Sequence, residues 1–469
     1  MQKSISVGLT SFLAFSTVAG GAEAPDTIVV TANRTAQPLS RVGQSISVVD
    51  AEDLATRQTE TVADVLRTVP GVTISRYGGI GSLTSVFIRG AESDQTVALI
   101  DGIKLNDPSA PGGGFDFGNL LAGNIERIEV LRGAQSVLWG SQAIGGVVNV
   151  ITVSPSETPH ANARAEYGYR NTAQFVGNVS GKAGPLSASA GAGYLRTDGI
   201  SAFSEARGGS EKDGYRNYGA NANVNLALSD TISVDLRGWY SHGHVGLDGY
   251  PPPDYAFADT RESAITREVV GYAGLNAALF DGRFHNRLGY AITDTRRRNY
   301  NPDNAPVETF AGDGRNERIE YQGVVDLADR WQVTFGAERE TTHYTTASPY
   351  GPTTSGRVSI DSGYGQLVAT RSGASPRPAG SATTTTAASA ATPASARAES
   401  TRPTTARPRS GRATARASRP PRCSSCRAST AINYCAPNGR ADGMRVSRSG
   451  WSAIRSKRAR PTSAAIAAT

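Results

Sequence analysis

Strict alternation of apolar and polar residues after Thr152 is the feature that most constrains the fold. Val224, Leu226 and Leu228 alternate with asparagines, and the same two-residue period returns further along the chain. Because neighbouring side chains of a strand point to opposite faces, each segment predicts a strand with one apolar and one polar face. Segments of about ten residues with this period are typical of a transmembrane β-barrel. The later segments contain Ile232 to Leu236, Phe284 to Ile292 and Trp331 to Ala337.

The connections between these strands alternate in length. Tight turns are predicted at 228–231, 280–283 and 327–330. Short turns on one side and long loops on the other are the arrangement of outer-membrane barrels, with the long loops outside the cell. About ten strands are expected before Thr370, within the size range of such barrels. The long loops are predicted at 242–266, 295–316 and 342–359.

The first 24 residues have the three parts of a secretory signal peptide. Lys3 is followed by an apolar stretch from Val7 to Val18, and Ala22 and Ala24 provide small residues for cleavage after Ala24. The alternative is a short buried helix. A soluble β-sandwich competes with the barrel, but it would not explain an export signal and the asymmetry of the loops together.

Charge and cysteine are concentrated at the C-terminus. Residues 372–469 hold 17 Lys and Arg against two acids, which exceeds the net charge of +7 of the whole chain, so the remainder is acidic. An acidic body gives no reason to expect a nucleic-acid partner. Cys423, Cys426 and Cys435 also lie in this tail, so the rest of the chain needs no disulfide or thiolate-bound metal.

Between the signal peptide and the alternating strands lies a region of mixed helix and strand, 42–152. Strand 45–50 precedes a short helix, 51–57, and the apolar residues of 61–69 recur at helical spacing before Pro70 and Gly71 end that helix. This pattern predicts a compact α+β domain. Its further strands are predicted at 85–89, 97–103, 125–131 and 145–151.

Four segments of this domain resemble the plug of TonB-dependent outer-membrane receptors, and they occur in the order found in that family. The segment 26–32 resembles the family's Ton box and stands directly after the signal peptide. Several stretches are most similar to the members of the family that carry cobalamin: 26–34, 64–72 and 100–106. The four plug segments are Phe87-Ile88-Arg89-Gly90, Leu99-Ile100-Asp101-Gly102, Ile125 to Gly133 and Trp139 to Gly146.

The resemblance implies active transport across the outer membrane of a Gram-negative bacterium, with no reaction catalysed and no cofactor. TonB would bind the Ton box, and cobalamin or another large nutrient chelate would bind at the external loops. A siderophore receptor of the same family is the alternative, and a TonB-linked signal transducer or a basic-tailed binding protein belongs to other classes. The expected TonB-binding residues are Asp26, Thr27, Ile28, Val29, Val30, Thr31 and Ala32.

Ligand contacts are expected from two glycine- and proline-containing apices of the plug, with ordinary plug turns as the alternative interpretation. Charge pairs between plug and wall are predicted for Arg89, Glu126, Arg127, Glu129 and Arg132. The candidate ligand-binding residues are Tyr77, Gly79, Ser82, Leu83, Asn106 and Pro108.

The resemblance to the cobalamin-carrying members of the family implies a calcium site among the acidic residues of the early external loops, and hard cations such as calcium prefer oxygen ligands. Their spacing matches no fixed metal-binding loop, so solvated loop acids are the alternative that the pattern favours. The acids in question are Glu205, Glu211, Asp213, Asp248 and Asp254.

Family barrels have about 22 strands, so the chain is expected to hold an incomplete barrel.

The tail after Arg371 is rich in Ala, Arg, Ser, Thr and Pro and cannot bury enough apolar surface to fold. An out-of-frame translation is the favoured interpretation, ahead of a disordered basic arm or a nucleic-acid-binding extension. The truncated product is expected not to fold stably or to transport. The fold class is therefore a mixed α+β plug followed by an incomplete antiparallel transmembrane β-barrel: signal peptide 1–24, Ton box and linker 25–41, plug 42–152, barrel strands 153–371 and tail 372–469.

Overall fold

The computed structural model describes residues 28–29, 34–35, 37–39, 42–328, 331–369 and 397–399. The predicted signal peptide, much of the Ton box and linker, and nearly all of the predicted tail lie outside these residues. Among the residues described, no helix is long and apolar enough to cross a bilayer.

The plug is built on a five-stranded sheet with short helices against it. Its strands run in the order β3-β8-β9-β6-β7, and only β6 and β9 are parallel. A separate pair, β4 and β5, forms an antiparallel two-stranded sheet. The elements from the N-terminus are β1 Ile28–Val29, β2 Gln37–Pro38, β3 Ser45–Val49, α1 Ala51–Arg57, α2 Val62–Leu66, β4 Val72–Arg76, β5 Thr84–Ile88, β6 Thr96–Ile100, β7 Ile103–Lys104, β8 Ile125–Arg132, α3 Ser136–Trp139 and β9 Gly146–Thr152.

Both early helices begin at capping side chains. The Asp50 carboxylate accepts a hydrogen bond from the Asp53 amide at 2.9 Å, and the Thr61 hydroxyl accepts one from the Asp64 amide at 3.3 Å. The apolar face of α2 is fully buried in the plug core, as its spacing predicts. The strand predicted at 97–103 is interrupted at Asp101, whose φ of +48° starts a turn between β6 and β7.

The second part of the chain is a meander of ten antiparallel strands, which we call the wall. Each strand pairs with the next in sequence, and β20 lies against part of the last one. The strands are β10 His160–Gly168, β11 Thr172–Ala183, β12 Leu186–Thr197, β13 Tyr215–Ala227, β14 Ile232–Gly249, β15 Ala258–Leu279, β16 Phe284–Tyr300, β17 Glu308–Ala328, β18 Trp331–Ser348, β19 Gly351–Ala369 and β20 Arg397–Glu399.

The two faces of the wall differ as the alternation predicts. On β13, Asn217, Asn221 and Asn223 are buried toward the plug, while Tyr218 faces outward and is 43% exposed. Large apolar side chains cover the outer face of the neighbouring strands. This is the arrangement of a barrel wall with lipid outside and a filled interior. Outward-facing apolar residues include Leu236, Leu275, Leu288, Ile319 and Phe335.

Two of the tight turns lie where they are predicted, at 228–231 and 280–283, and the third falls partly outside the described residues. The long loops are shorter than predicted. The connection after β14 spans only 250–257, the next long one spans 301–307, and β18 and β19 are joined by 349–350. The ladder continues through the residues assigned to loops, with Gly243 opposite Thr266 and Thr295 opposite Gly314. Strands that rise beyond the lipid have polar residues on both faces, so the alternation that marks a strand disappears there.

Candidate functional site

The plug is held inside the curve of the wall by polar contacts. The Lys104 ammonium lies 3.0 Å from Glu340 of β18, and Arg297 of β16 lies 3.1 Å from Asp107. Backbone carbonyls of the plug also accept hydrogen bonds from wall side chains, such as Asn316 Nδ2 to the Asn106 carbonyl at 2.6 Å. Plug and wall therefore form one polar junction, which we call the plug–wall junction.

The charge pairs predicted between plug and wall lie elsewhere. Arg127 pairs with Glu126 and Glu129 inside the plug, both at 2.9 Å. Arg132 donates to the Pro70 carbonyl and to Ser47, also within the plug. For the four residues on β8 the prediction was wrong, because β8 lies inside the plug sheet between β3 and β9. The fifth, Arg89, has no ion pair among the described residues.

Only part of the first predicted apex is accessible to a ligand. Tyr77 is 69% exposed and Leu83 is 48% exposed, and Gly79 between them is half-buried. Ser82 is 1% exposed and donates its hydroxyl to the Gly79 carbonyl at 2.7 Å. Ser82 therefore has a structural role in the turn rather than a place at the surface.

The second predicted apex is likewise only partly accessible to a ligand. Asn106 is 3% exposed, and its amide group bonds to the backbone of Ala98, Thr96 and Gly113. With both ends of its side chain occupied inside the plug, Asn106 is not a candidate for ligand contact. Pro108 is half-buried. We retain Tyr77, Gly79, Leu83 and Pro108 as the exposed or half-exposed residues of the predicted set.

Carboxyl groups from three elements meet at the end of the wall where the long connections lie. Ligand oxygens of Glu211, Asp248 and Asp259 all lie within 4.8 Å of one another. The amide of Ala202 donates to Asp213 at 2.8 Å, in the same β12–β13 connection. We call Glu211, Asp213, Asp248 and Asp259 the acidic cluster.

Most acids of the cluster use one carboxylate oxygen to accept a hydrogen bond from a backbone amide of the β12–β13 connection. Asp259 accepts from the Ser210 amide at 2.7 Å, and Asp248 accepts from the Phe203 amide at 2.6 Å. Oxygens that remain are buried and have no hydrogen-bond partner among the described residues. They are Oε2 of Glu211, Oδ1 of Asp213 and Oδ1 of Asp259.

Burial and mutual repulsion shift the protonation of the cluster. Burial and the negative charges of Asp213, Asp248 and Asp259 raise the pKa of Glu211 to about 7. Burial, with Asp248 and Asp259, also raises the pKa of Asp213 to about 6, against the opposing hydrogen bond from Ala202. Carboxylates that are buried close together despite their mutual repulsion provide the oxygen ligands that a hard cation prefers.

The sequence identified three of the four cluster residues. Asp259 was missed because its approach depends on the pairing of β14 with β15, which places Gly249 opposite Ala258 after an irregularity in register. Glu205 and Asp254 were also candidates, but both are exposed and lie outside the cluster.

The acidic cluster adjoins the exposed plug apex. A Cβ at Gly79 would lie 3.5 Å from the Ile200 carbonyl oxygen and 3.8 Å from that of Asp213. Both carbonyls belong to the connection that the cluster acids hold. The apex and the cluster therefore form one region at the external mouth.

The N-terminal segment is extended where it is described. Ile28 and Val29 pair with Pro38 and Gln37 in a two-stranded antiparallel ladder. The sequence alone, with a polar stretch following the β-branched residues, predicts that this segment hangs free, but at these two residues it is paired. The other five predicted TonB-binding residues, Asp26, Thr27, Val30, Thr31 and Ala32, lie outside the described residues.

Known proteins match both the plug and the wall of this chain. The model of the TonB-dependent Receptor Plug Domain matches residues 38–147. The Vitamin B12 transporter BtuB of Photobacterium profundum is 33% identical over 261 residues, which is 55% of this chain and 42% of that protein. The BtuB of Vibrio vulnificus (strain CMCP6) is 37% identical over 258 residues, 53% of this chain and 40% of that protein. The chain thus spans about two fifths of the length of these relatives.

Solved receptors share the fold. The ferripyoverdine receptor of the outer membrane of Pseudomonas aeruginosa superposes with a TM-score of 0.60 at 14% identity, over 73% of this chain and 52% of that one. The ferric yersiniabactin uptake receptor FyuA from Yersinia pestis has a TM-score of 0.55 at 18% identity, over 70% and 54%. The matched proteins are transport receptors rather than enzymes. The chain therefore contains a TonB-dependent receptor plug domain, seated against the inner face of ten wall strands, and shares the fold of these solved outer-membrane receptors.

Proposed function

We propose that this chain is part of a TonB-dependent receptor that takes up cobalamin. The observation that carries the proposal is its identity of 33–37% with vitamin B12 transporters over a stretch of about 260 residues. The siderophore receptors that share the fold are only 14–18% identical, so the cargo in their names is weaker evidence for the cargo of this chain. A ferric siderophore remains the alternative cargo.

We further propose that the acidic cluster binds calcium. Three buried carboxylate oxygens, which have no hydrogen-bond partner among the described residues, supply the oxygen ligands that calcium prefers. A bound cation would neutralise the repulsion among the four acids. Its effect would be to fix the 198–214 connection beside the plug apex, where Tyr77 and Leu83 are exposed to cargo.

TonB is the proposed energy-coupling partner, because a plugged barrel has no energy source of its own. An extended segment such as Ile28–Val29 suits recognition by strand addition, in which main-chain hydrogen bonds join it to the edge of another sheet. The pairing with Gln37–Pro38 would have to give way to that partner.

Equilibrium dialysis tests the cargo. The full chain, folded in detergent with calcium present, is dialysed against radiolabelled cyanocobalamin and, in parallel, against radiolabelled ferric siderophore. We expect saturable binding of cyanocobalamin and no saturable binding of the ferric chelate. Binding of the ferric chelate alone would replace the cobalamin assignment with the siderophore alternative.

A further inference from the structure

Tyr215, the first residue of β13, is a wall side chain that lies between the acidic cluster and the plug. It follows Asp213 of the cluster by two residues and is 2% exposed. It packs in one apolar cluster with Leu195 and Val245 of the wall and with Ile80 of the plug apex. Tyr215 therefore adjoins the external connection in sequence and belongs in space to the core between plug and wall.

The Tyr215 ring lies directly against the backbone of the plug apex. A Cβ at Gly81 would collide with the ring carbons Cδ2 and Cε2, so a larger residue fits there only if the ring moves. The φ of Gly81 is +89°, which residues other than glycine rarely adopt. Because protein interiors are closely packed, a shift of the ring must displace this part of the apex.

The Tyr215 hydroxyl contacts a second segment of the plug. It donates to Asn119 Oδ1 at 3.1 Å and accepts from Asn217 Nδ2 at 2.8 Å. Asn217 Nδ2 also donates to the Asn119 backbone carbonyl at 3.0 Å. Two buried wall side chains thus hold one buried plug residue. We call Tyr215 together with its plug partners, Gly81 and Asn119, the tyrosine contact.

Only Gly214 separates Tyr215 from Asp213, and the chain around it is held by its neighbours. The Gly214 carbonyl accepts a hydrogen bond from the Gly246 amide of β14 at 2.9 Å. A Cβ at Gly199 would collide with the Asp213 carbonyl oxygen, so the connection is packed tightly against this residue. A movement of Asp213 is therefore passed on to Tyr215, because no flexible segment lies between them to absorb it.

We propose that Tyr215 couples the acidic cluster to the position of the plug, so that cation binding and plug position depend on each other. This inference rests on the proposed binding of calcium by the cluster. Calcium at Asp213 would fix the β12–β13 connection and, through Tyr215, the plug at Gly81 and Asn119. Coupling between two sites is reciprocal, so displacement of the plug would lower the affinity for calcium. Tyr215 is a positioning residue in this scheme and does not bind the cation itself.

Hydrogen exchange with and without calcium tests the effect of the cation on the plug. In the unchanged chain, calcium should slow exchange at 117–119 in the plug as well as at 198–214. The apex also touches the connection directly at Gly79, so exchange at 117–119 is the decisive readout. Y215L should keep the calcium effect at 198–214 and lose it at 117–119. Y215F keeps the ring against Gly81 and should lose the effect at 117–119 while retaining it at 77–83.

Equilibrium dialysis against radiolabelled calcium tests the reverse effect with a substitution inside the plug. N119A removes the acceptor of the Tyr215 hydroxyl and should raise the dissociation constant for calcium about fivefold. Y272F is the matched control, because Tyr272 is another wall tyrosine but its hydroxyl accepts from Arg287 within the wall. Y272F should bind calcium and protect 117–119 as the unchanged chain does. Near-UV circular dichroism confirms that each variant is folded.

Equal slowing of exchange at 117–119 by calcium in folded Y215L or Y215F would overturn the proposal, and so would an unchanged dissociation constant in N119A. If the unchanged chain binds no calcium, the calcium assignment itself is refuted, and Gly199→Ala tests the tyrosine contact without the cation. By displacing Asp213, this substitution should speed exchange at 117–119, and it should not do so in the Y215L background. Unchanged exchange at 117–119 in Gly199→Ala would contradict the coupling.

Discussion

Arg297 of the wall holds Asp107 of the plug in a buried ion pair, with 3.1 Å between Nη2 and Oδ2. Asp107 is 1% exposed, and its other oxygen accepts hydrogen bonds from the amide and hydroxyl of Ser109. The pair joins two parts of the chain that are about 190 residues apart in sequence. It shows how the plug is fixed by side chains that no local pattern could pair.

Removing the cation should weaken the plug–wall junction strongly. We expect Arg297→Met to lower the free energy of unfolding by about 3 kcal/mol, because Asp107 would remain buried and charged without a partner. Asp107→Asn in the same chain should recover part of the loss. Urea denaturation measures both.

Arg315→Met is the control for that comparison. Arg315 pairs with Asp294 at 3.0 Å, but it faces outward and is 46% exposed, so its loss should cost less than about 1 kcal/mol. Equal losses for Arg297→Met and Arg315→Met would show that the buried pair does not hold the plug.

Glycine is required where the plug approaches the wall most closely. A Cβ at Gly243 would collide with the side-chain oxygen of Asn119 in the plug, whereas a Cβ at Gly238, on the same strand, would meet nothing within 4 Å. We expect Gly243→Ala to destabilise the chain by about 1–3 kcal/mol through overpacking, and Gly238→Ala to have little effect. Limited proteolysis of the plug and thermal unfolding distinguish the two variants. Identical behaviour would mean that Asn119 moves aside without cost.

The acidic cluster should bind calcium through its buried carboxylates. We expect the double variant D213N/D248N to lose saturable binding of radiolabelled calcium. Glu205→Gln and Asp254→Asn change exposed loop acids outside the cluster and should bind as the unchanged chain does. Loss of binding in these two controls would assign calcium to the general charge of the loops.

The same cluster predicts a dependence on pH. The pKa of Glu211 is raised from 4.5 to about 7 and that of Asp213 from 3.8 to about 6, so the folded connection binds more protons than the unfolded one in this window. Without calcium, its stability should therefore fall as pH rises from about 4 to about 7. Calcium competes with these protons, so its affinity should rise over the same window.

Hydrogen exchange of residues 198–214 at pH 5 and pH 8 checks the predicted loss of stability at higher pH. With EDTA present, exchange corrected for its intrinsic pH dependence should be faster at pH 8, and calcium should remove the difference. Greater protection at pH 8 with EDTA would contradict the repulsion among Glu211, Asp213, Asp248 and Asp259.

Coupling to TonB should depend on an extended conformation near Val29. Val29→Pro removes an amide donor and should abolish crosslinking between the N-terminal segment and TonB. Val29→Thr keeps the β-branched side chain and should preserve crosslinking. Crosslinking that survives Val29→Pro would exclude strand addition at this residue.

Local signals in the sequence were sufficient for most of the individual elements. Helix α1 lies at the predicted residues 51–57, the spacing of Val62, Val65 and Leu66 located α2, and alternation located the lower parts of the wall strands. The upper strand halves were missed because their residues are polar on both faces. Strand β4 was missed because it lies between Gly71 and an exposed apex and carries only a short alternation.

The candidate site could be predicted only in part, because its residues meet through strand register. Asp259 joins Asp248 and Glu211 only once β14 and β15 are paired. The burial of Ser82 and Asn106 likewise depends on contacts within the folded plug that glycine and proline content does not reveal.

The most direct test of the central claim compares the two faces of the wall in a bilayer. After Cys423, Cys426 and Cys435 are replaced by serine, single cysteines carrying nitroxide spin labels are placed at Leu236 and Leu288 on the outer face. Arg237 and Arg287 provide the adjacent inward-facing positions. Labels at 236 and 288 should be relaxed strongly by lipid-dissolved oxygen, and labels at 237 and 287 should not. Equal relaxation of all four labels by a water-soluble nickel chelate would contradict a plugged wall that spans the membrane.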